Sequence, residues 1–347
     1  MILMIDLHLQ SAADRLAAQS LTLRGRPFTP LASRIAVLGA GLMGPGIAQV
    51  FAEAGFEVDL CDVSSAALAR GMATLRDSVA LKVELEFVGE ASAQATLAKI
   101  HPCDDSDGAI RRAALVVEAV TENREIKAEI YDRVFRLGGP WTVIWSNTST
   151  LNVFDLAAPE FVDRLLVAHW FAPPQILPLV EVVQRDTTQD RLREESVALL
   201  RVLGKTPVVL DKFIPGFVIN RLLRALGREA FDMIESGVIS IENLDAAVRT
   251  SLAPRMQVLG LMQRYDFTGL NLSLRNLGDR DIIDAPVNLS PALLSERVAR
   301  GDLGVTTGRG FYDYQGRSTS QLQRERDRRL WQAVQRLSDL ILDPKPI

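Results

Sequence analysis

From Arg34 onward the chain alternates short apolar runs with longer amphipathic ones. IAVLG, GPGIAQVFAEAG and EVDLCD read as strand, helix and strand, a β-α-β unit. Residues 65–99, rich in Ala, Leu, Lys and Glu, predict two helices. The rhythm returns with ALVVEAV, apolar enough for a strand buried on both faces, then NREIKAEIYDRVFRL as an amphipathic helix and WTVIWSN as the next strand. LLVAHW and PLVEVV follow, joined by FAPPQIL. A parallel crossover needs a dozen or more residues, so these two strands are expected to run antiparallel. Residues 190–204 predict another helix, TPVVL another strand, and the pattern from Pro215 is largely helical. In the charged stretch 318–337, Leu322, Leu330, Val334 and Leu337 share one helix face, as in a surface or interface helix. No internal repeat interrupts this order. Three segments result: an N-terminal extension 1–33, a sheet domain 34–213 and a helical domain 214–347, with the boundary near Asp211–Pro215.

A chain of 347 residues suffices for two cores. Hydrophobic residues make up 48% and charged residues 24%, and no apolar run approaches the roughly 18 residues of a bilayer helix, so no membrane partner is expected. A formal charge of −4, from 39 basic and 43 acidic residues, offers no broad cationic surface for nucleic acid. Cys61 and Cys103 make no disulfide framework and have no metal-ligand spacing, so no metal is expected and a reducing cytoplasm suits the chain. At the N-terminus Asp6 and His8 interrupt the apolar start before a secretory core forms, and Asp6 and Asp14 disfavour a transit peptide. The role of residues 1–33 is not legible.

Between the first strand and helix stands GAGLMG, placing Gly39, Gly41 and Gly44 in G-x-G-x-x-G spacing around Leu42 and Met43. Gly39 suits the tight turn, Gly41 the approach of a pyrophosphate, and Gly44 close packing of helix on strand. The helix N-terminus then presents unpaired N–H groups to the phosphates. Asp62 ends the second strand, where a carboxylate accepts from both ribose hydroxyls and repels a 2′-phosphate. NAD is favoured over NADP; the plain alternative is a glycine-rich turn with a surface Asp. The expected fold is α/β, a doubly wound Rossmann-type sheet, mostly parallel with its last strands antiparallel, followed by an all-helical domain.

Of three histidines, His8, His101 and His169, only His169 ends a predicted buried strand. Glu181 sits inside the apolar PLVEVV, where an unpaired carboxylate is expensive to bury. As antiparallel neighbours the two would meet, the glutamate holding the imidazole's tautomer and stabilising its charged form. That is the requirement for oxidising a secondary alcohol, in which a base takes the hydroxyl proton while hydride leaves for a nicotinamide. The alternative is a structural His with Glu181 at an exposed edge.

GAGLMGPGIA, VEAVTEN followed by Lys127, SNTSTL, AHWFAPP, PLVEVV, IPGFVINRLL and TGRGFYDY occur in one order over residues 34–314. In these segments the chain resembles the 3-hydroxyacyl-CoA dehydrogenase family. The resemblance implies a Rossmann domain with NAD as cofactor, a helical domain that commonly forms a homodimer, and a place in fatty acid metabolism. It makes His169 the catalytic base and Glu181 its orienting carboxylate, with Ser149 and Asn220 hydrogen-bonding the substrate oxygen. Glu122, Lys127 and Asn147 fall at the cofactor. Read as plain residues, Ser149 and Asn147 also suit helix caps near Leu151, Asn220 a cap or helix cross-link, and Lys127 a solvated partner of Asn123 or Tyr131.

The chain departs from the family's CoA-using members at Ala172, at Pro178 and at Gly260-Leu261-Met262-Gln263. Pro173-Pro174 and Arg255 look more like relatives that oxidise free hydroxy acids, such as gulonate dehydrogenase and lambda-crystallin, or a pyridine-carboxylate dehydrogenase. An arginine facing a pocket holds a carboxylate bidentately; a surface Arg is the alternative. The expectation is an NAD-dependent interconversion of a 3-hydroxyacyl substrate and its 3-oxo form. The rivals are the same chemistry on a small free hydroxy acid or ring carboxylate, and a non-catalytic dinucleotide-binding or sensing protein.

Overall fold

The computed structural model describes residues 12–17, 19–185 and 190–341. The chain divides into two units, Met1–Val218 and Ile219–Ile347. The first unit begins with α1 (Ala12–Ala17) and a hairpin of β1 (Thr22–Leu23) and β2 (Arg26–Pro27). It continues through β3 (Arg34–Leu38), α2 (Gly44–Glu53), β4 (Glu57–Cys61), α3 (Ser65–Glu84), α4 (Glu90–Ala98), β5 (Ile100–Cys103) and α5 (Ser106–Arg112). Then come β6 (Leu115–Glu118), α6 (Arg124–Leu137), β7 (Val143–Ser146), β8 (Leu165–Trp170), β9 (Leu179–Val183), α7 (Asp190–Val202) and β10 (Thr206–Leu210).

Strands β3 to β10 form one sheet in the order β10-β9-β8-β7-β6-β3-β4-β5. Its first six strands in chain order are parallel, β9 turns antiparallel to β8, and β10 runs parallel to β9. The short FAPPQIL link has the expected effect. Strand order reverses at β3, which lies between β4 and β6, and at such a switch point the loops leaving the carboxyl edge part and open a crevice. Helices begin where capping residues stand: Ser64 accepts from the Ala67 N–H and Asn123 from the Ile126 N–H. β6 and β7 are buried along their whole length, as their unbroken apolar runs require.

Two features lie outside the sequence expectation. β5 extends the sheet edge with IHPC, where His101 Nε2 sits 2.6 Å from Glu57 and Pro102 is tolerated because the strand has one neighbour. Residues 19–33 pack onto the sheet unit. Leu21, Leu23 and Phe28 are buried, the Phe28 ring lies 5.1 Å from Phe56, and the Thr22 hydroxyl and Gly25 N–H both donate to Glu195. The earlier part of that extension, with Asp6 and His8, lies outside the described residues.

The second unit holds α8 (Ile219–Glu235), α9 (Ile241–Ala247), α10 (Ala253–Leu259), α11 (Gln263–Thr268), α12 (Leu270–Leu277), α13 (Ala292–Ala299), α14 (Thr319–Arg336) and α15 (Ser338–Ile341). Among its described residues only Ser273 and Ala285 are buried. Leu223, Phe267, Leu270, Leu274, Leu277 and Ile283 are exposed. No helix among the described residues is long and apolar enough to cross a membrane.

Candidate active site

The glycine turn fits a dinucleotide. Gly39 has φ +105°, and a Cβ there would collide with the Ala119 carbonyl; a Cβ on Gly44 would collide with the Gly39 carbonyl. A Cβ on Gly41 would meet nothing within 4 Å, which leaves its face open for the close approach of a phosphate. α2 starts at Gly44 with no side-chain cap, so its first-turn N–H groups point toward that opening. Asp62 follows β4 and accepts from the Ala40 N–H through one oxygen and the Ser64 N–H through the other, both at 2.8 Å. These bonds fix the carboxylate at the lip of the turn. Leu42 is exposed on the same turn.

His169 and Glu181 are register partners across β8 and β9. Both are buried, and Nδ1 lies 2.8 Å from Oε2. An ionised carboxylate only accepts, so a neutral imidazole in this contact would carry its proton on Nδ1 and keep the lone pair of Nε2. The Phe171 and Phe217 rings stand 4.5 and 5.1 Å from the imidazole. Asn147, just past β7, accepts from the Trp170 N–H at 2.8 Å while its own N–H donates to the Glu118 carbonyl. The end of the histidine strand is thereby tied to the crevice edge. Asn147 caps no helix; the next element is a short turn of 3-10 helix, Val153–Asp155, whose N-cap position is Asn152.

Beside these lies a second buried cluster. Glu118, ending β6, binds Lys127 Nζ at 2.6 Å, the Ser146 hydroxyl at 2.7 Å and the Tyr131 hydroxyl at 2.9 Å. Lys127 is completely buried, so its solvated reading is overturned; its position one turn from Tyr131 puts both on the inner face of α6. Burial and the Glu118 charge push the Tyr131 phenol well above its ordinary range. Glu122 reaches the same lysine at 3.4 Å and accepts from Thr148, Ser149 and Thr150, by hydroxyl and, for the last two, also by backbone N–H. Burial alone would raise its carboxyl; these donors and the lysine charge overcome that and hold it down at about 2. Ser149 Oγ donates to Glu122 at 3.2 Å.

Asn220 stands half-buried in the first turn of α8. Arg255, in α10, is exposed and bonds back to Ser251 one turn earlier. Reading by sequence missed Glu118, although a carboxylate inside apolar ALVVEAV carries the signal that exposed Glu181. It also missed Lys205, buried at the foot of β10, whose Nζ donates to the Pro174 and Leu177 carbonyls of the link between β8 and β9. Burial pushes that amine down to about 7.

The sheet order, the open glycine turn and the fixed Asp62 define a dinucleotide-binding fold. Comparison with known proteins narrows the class. Residues 34–213 match the model of the 3-hydroxyacyl-CoA dehydrogenase NAD-binding domain, and residues 216–314 that of the C-terminal domain of the same family. The chain is 36% identical over 299 residues to 5-formyl-3-hydroxy-2-methylpyridine 4-carboxylate 5-dehydrogenase of Mesorhizobium japonicum, covering 85% of this chain and 95% of that one. It is 34% identical to 3-hydroxybutyryl-CoA dehydrogenase of Bradyrhizobium diazoefficiens, covering 82% and 96%. Among solved structures, an NAD+-dependent pyridine-carboxylate 5-dehydrogenase superposes with TM-score 0.78 at 32% identity, over 88% of this chain and 98% of that one. An (S)-3-hydroxybutyryl-CoA dehydrogenase from Ralstonia eutropha gives 0.64 at 31%, over 82% and 99%. The chain belongs to the 3-hydroxyacyl-CoA dehydrogenase family and is an NAD-dependent oxidoreductase of that kind.

Proposed function

We propose that the protein interconverts a 3-hydroxyacyl group and its 3-oxo form, with His169 as the base. The observation that carries this is the buried His169–Glu181 contact, 2.8 Å long, on the sheet edge where the glycine turn opens. In the oxidising direction Nε2 takes the hydroxyl proton as the carbonyl forms, and Glu181 stabilises the resulting imidazolium. Ser149 and Asn220 hydrogen-bond the substrate oxygen in this reading. NAD, when bound, supplies the acceptor of the hydride; Gly39, Gly41, Leu42, Met43, Gly44, Asp62 and Asn147 hold it, and Glu122 and Lys127 shape its nicotinamide side.

A second reading, the same chemistry on a small free hydroxy acid or ring carboxylate, is favoured by likeness to the pyridine-carboxylate enzyme, which exceeds that to the butyryl-CoA enzyme in both sequence and superposition. Arg255 would then hold the carboxylate. NADH absorbance with acetoacetyl-CoA, free 3-oxo acids and 5-formyl-3-hydroxy-2-methylpyridine 4-carboxylate separates the two. Turnover of the thioester supports the first, turnover of a free acid alone supports the second, and bound NADH with no turnover on any overturns both.

The same reading makes the protein a homodimer joined through residues 219–347. A 129-residue helical unit with two buried residues among those described leaves its apolar faces for a second copy to cover. Sedimentation at micromolar concentration tests this, and a monomer would refute it. A cytoplasmic location belongs to the reading as well, supported by the free thiols of Cys61 and Cys103.

A further inference from the structure

The chain leaves the sheet unit through Pro215-Gly216-Phe217-Val218, and this turn touches both members of the buried pair. Gly216 has φ +80° and Phe217 φ +48°. The left-handed region is natural for glycine and unfavourable for a bulky aromatic residue, which stays there only where its surroundings over-determine it. Phe217 is fully buried, its ring inclined 42° to the His169 imidazole at 5.1 Å and edge-on to Phe213 at 5.7 Å. Its N–H closes the turn on the Ile214 carbonyl. The next N–H, that of Val218, donates to Glu181 Oε1 at 3.0 Å, the oxygen not engaged by His169.

We infer that residues 215–218 are a positioning element for the His169–Glu181 pair: the left-handed Phe217 aims the Val218 amide at Glu181 Oε1 and lays its own ring against the imidazole. A carboxylate bonded at one oxygen still pivots about its terminal torsion, where preferences are broad. Bonded at Oε2 by His169 and at Oε1 by a backbone amide, it keeps a single orientation, and the ring limits the tilt of the imidazole. Phe217 and Val218 are positioning residues, since neither is placed at the reacting atoms. For its effect on rate the inference rests on the proposed function; its geometric content stands apart from it.

The test compares Val218→Pro, which deletes the amide donor, with Val218→Ala, which keeps it, and adds Phe217→Gly, which accepts the left-handed backbone but removes the ring. With 15N-histidine labelling the chain gives three imidazoles, and His169→Asn assigns the one that matters. V218P is expected to shift or broaden the His169 Nδ1–H resonance and V218A to keep it. F217G is expected to broaden it as well. On a substrate identified above, V218P and F217G lose about tenfold in kcat with KM within about threefold. Lowered thermal stability alone, with the His169 resonance and kcat at wild-type values, would overturn the inference; F217G decides the question if V218P does not fold. Wild-type protein that turns over nothing refutes the proposed function, while the resonance still tests the positioning.

Discussion

Two buried carboxylates of the sheet unit, Glu118 at the end of β6 and Glu181 within β9, differ in what surrounds them. Glu118 is enclosed by a lysine, a tyrosine, a serine and the Val120 N–H, two donors for each of its oxygens. Glu181 faces an imidazole whose second nitrogen stays uncommitted. A fully satisfied polar cluster fixes a shape, whereas a pair with one unspent valence can move a proton. Burial is alike in the two; the partner separates them, an ammonium and two hydroxyls in one case and an imidazole in the other.

The comparison breaks most easily at the histidine. His169→Ala should lower kcat by about 10³-fold or more while the NADH dissociation constant, read by fluorescence titration, stays within about threefold. A large loss of cofactor affinity would place His169 in the binding site instead. Glu118→Ala should leave activity a secondary casualty and stability the main one, with about 3 kcal/mol lost in denaturant unfolding because the buried Lys127 loses its 2.6 Å partner and keeps only the longer contact with Glu122. Glu118→Met with Lys127→Met should recover much of that loss; no recovery would mean that the charges themselves hold the fold. Asp62→Ala should raise KM for NAD about tenfold and reduce discrimination against NADP, and an unchanged preference would contradict the ribose assignment.

The smallest effect concerns a buried amine held by backbone carbonyls. Lys205 is buried against two carbonyls with its amine pushed down to about 7, below the 10.5 of an exposed lysine. Between those values the unfolded chain binds the extra proton, so this residue makes stability rise with pH, by at most about 1.4 kcal/mol per pH unit. Lys205→Met should flatten the slope of unfolding free energy from pH 7.5 to 9.5 relative to wild type. An identical slope would show that water reaches the amine.

The sheet and the His169–Glu181 pair were legible in the sequence because each rests on a local rule. A seven-residue link cannot carry a parallel crossover, and an apolar strand does not bury a lone carboxylate. The same rule applied to Glu118, but its lysine arrives from α6, whose amphipathic pattern suggested a solvated side chain. β5 was hidden because IHPC is short, carries proline and sits at an edge. The packing of residues 19–33 was hidden because three apolar side chains on a small hairpin show no periodicity. Asn220 and Arg255 were located on helices by pattern, yet what they face is a tertiary matter that spacing does not encode.

Glu122 gives Ser149 an unusual freedom. The hydroxyl now donates to a carboxylate that also receives Thr148, Thr150 and the Ser149 backbone amide, with Lys127 close by. If that one hydrogen swings toward a ligand oxygen, Glu122 remains fully solvated by its other neighbours. Under the proposed function the serine would act as a swivel whose release leaves no orphaned charge behind.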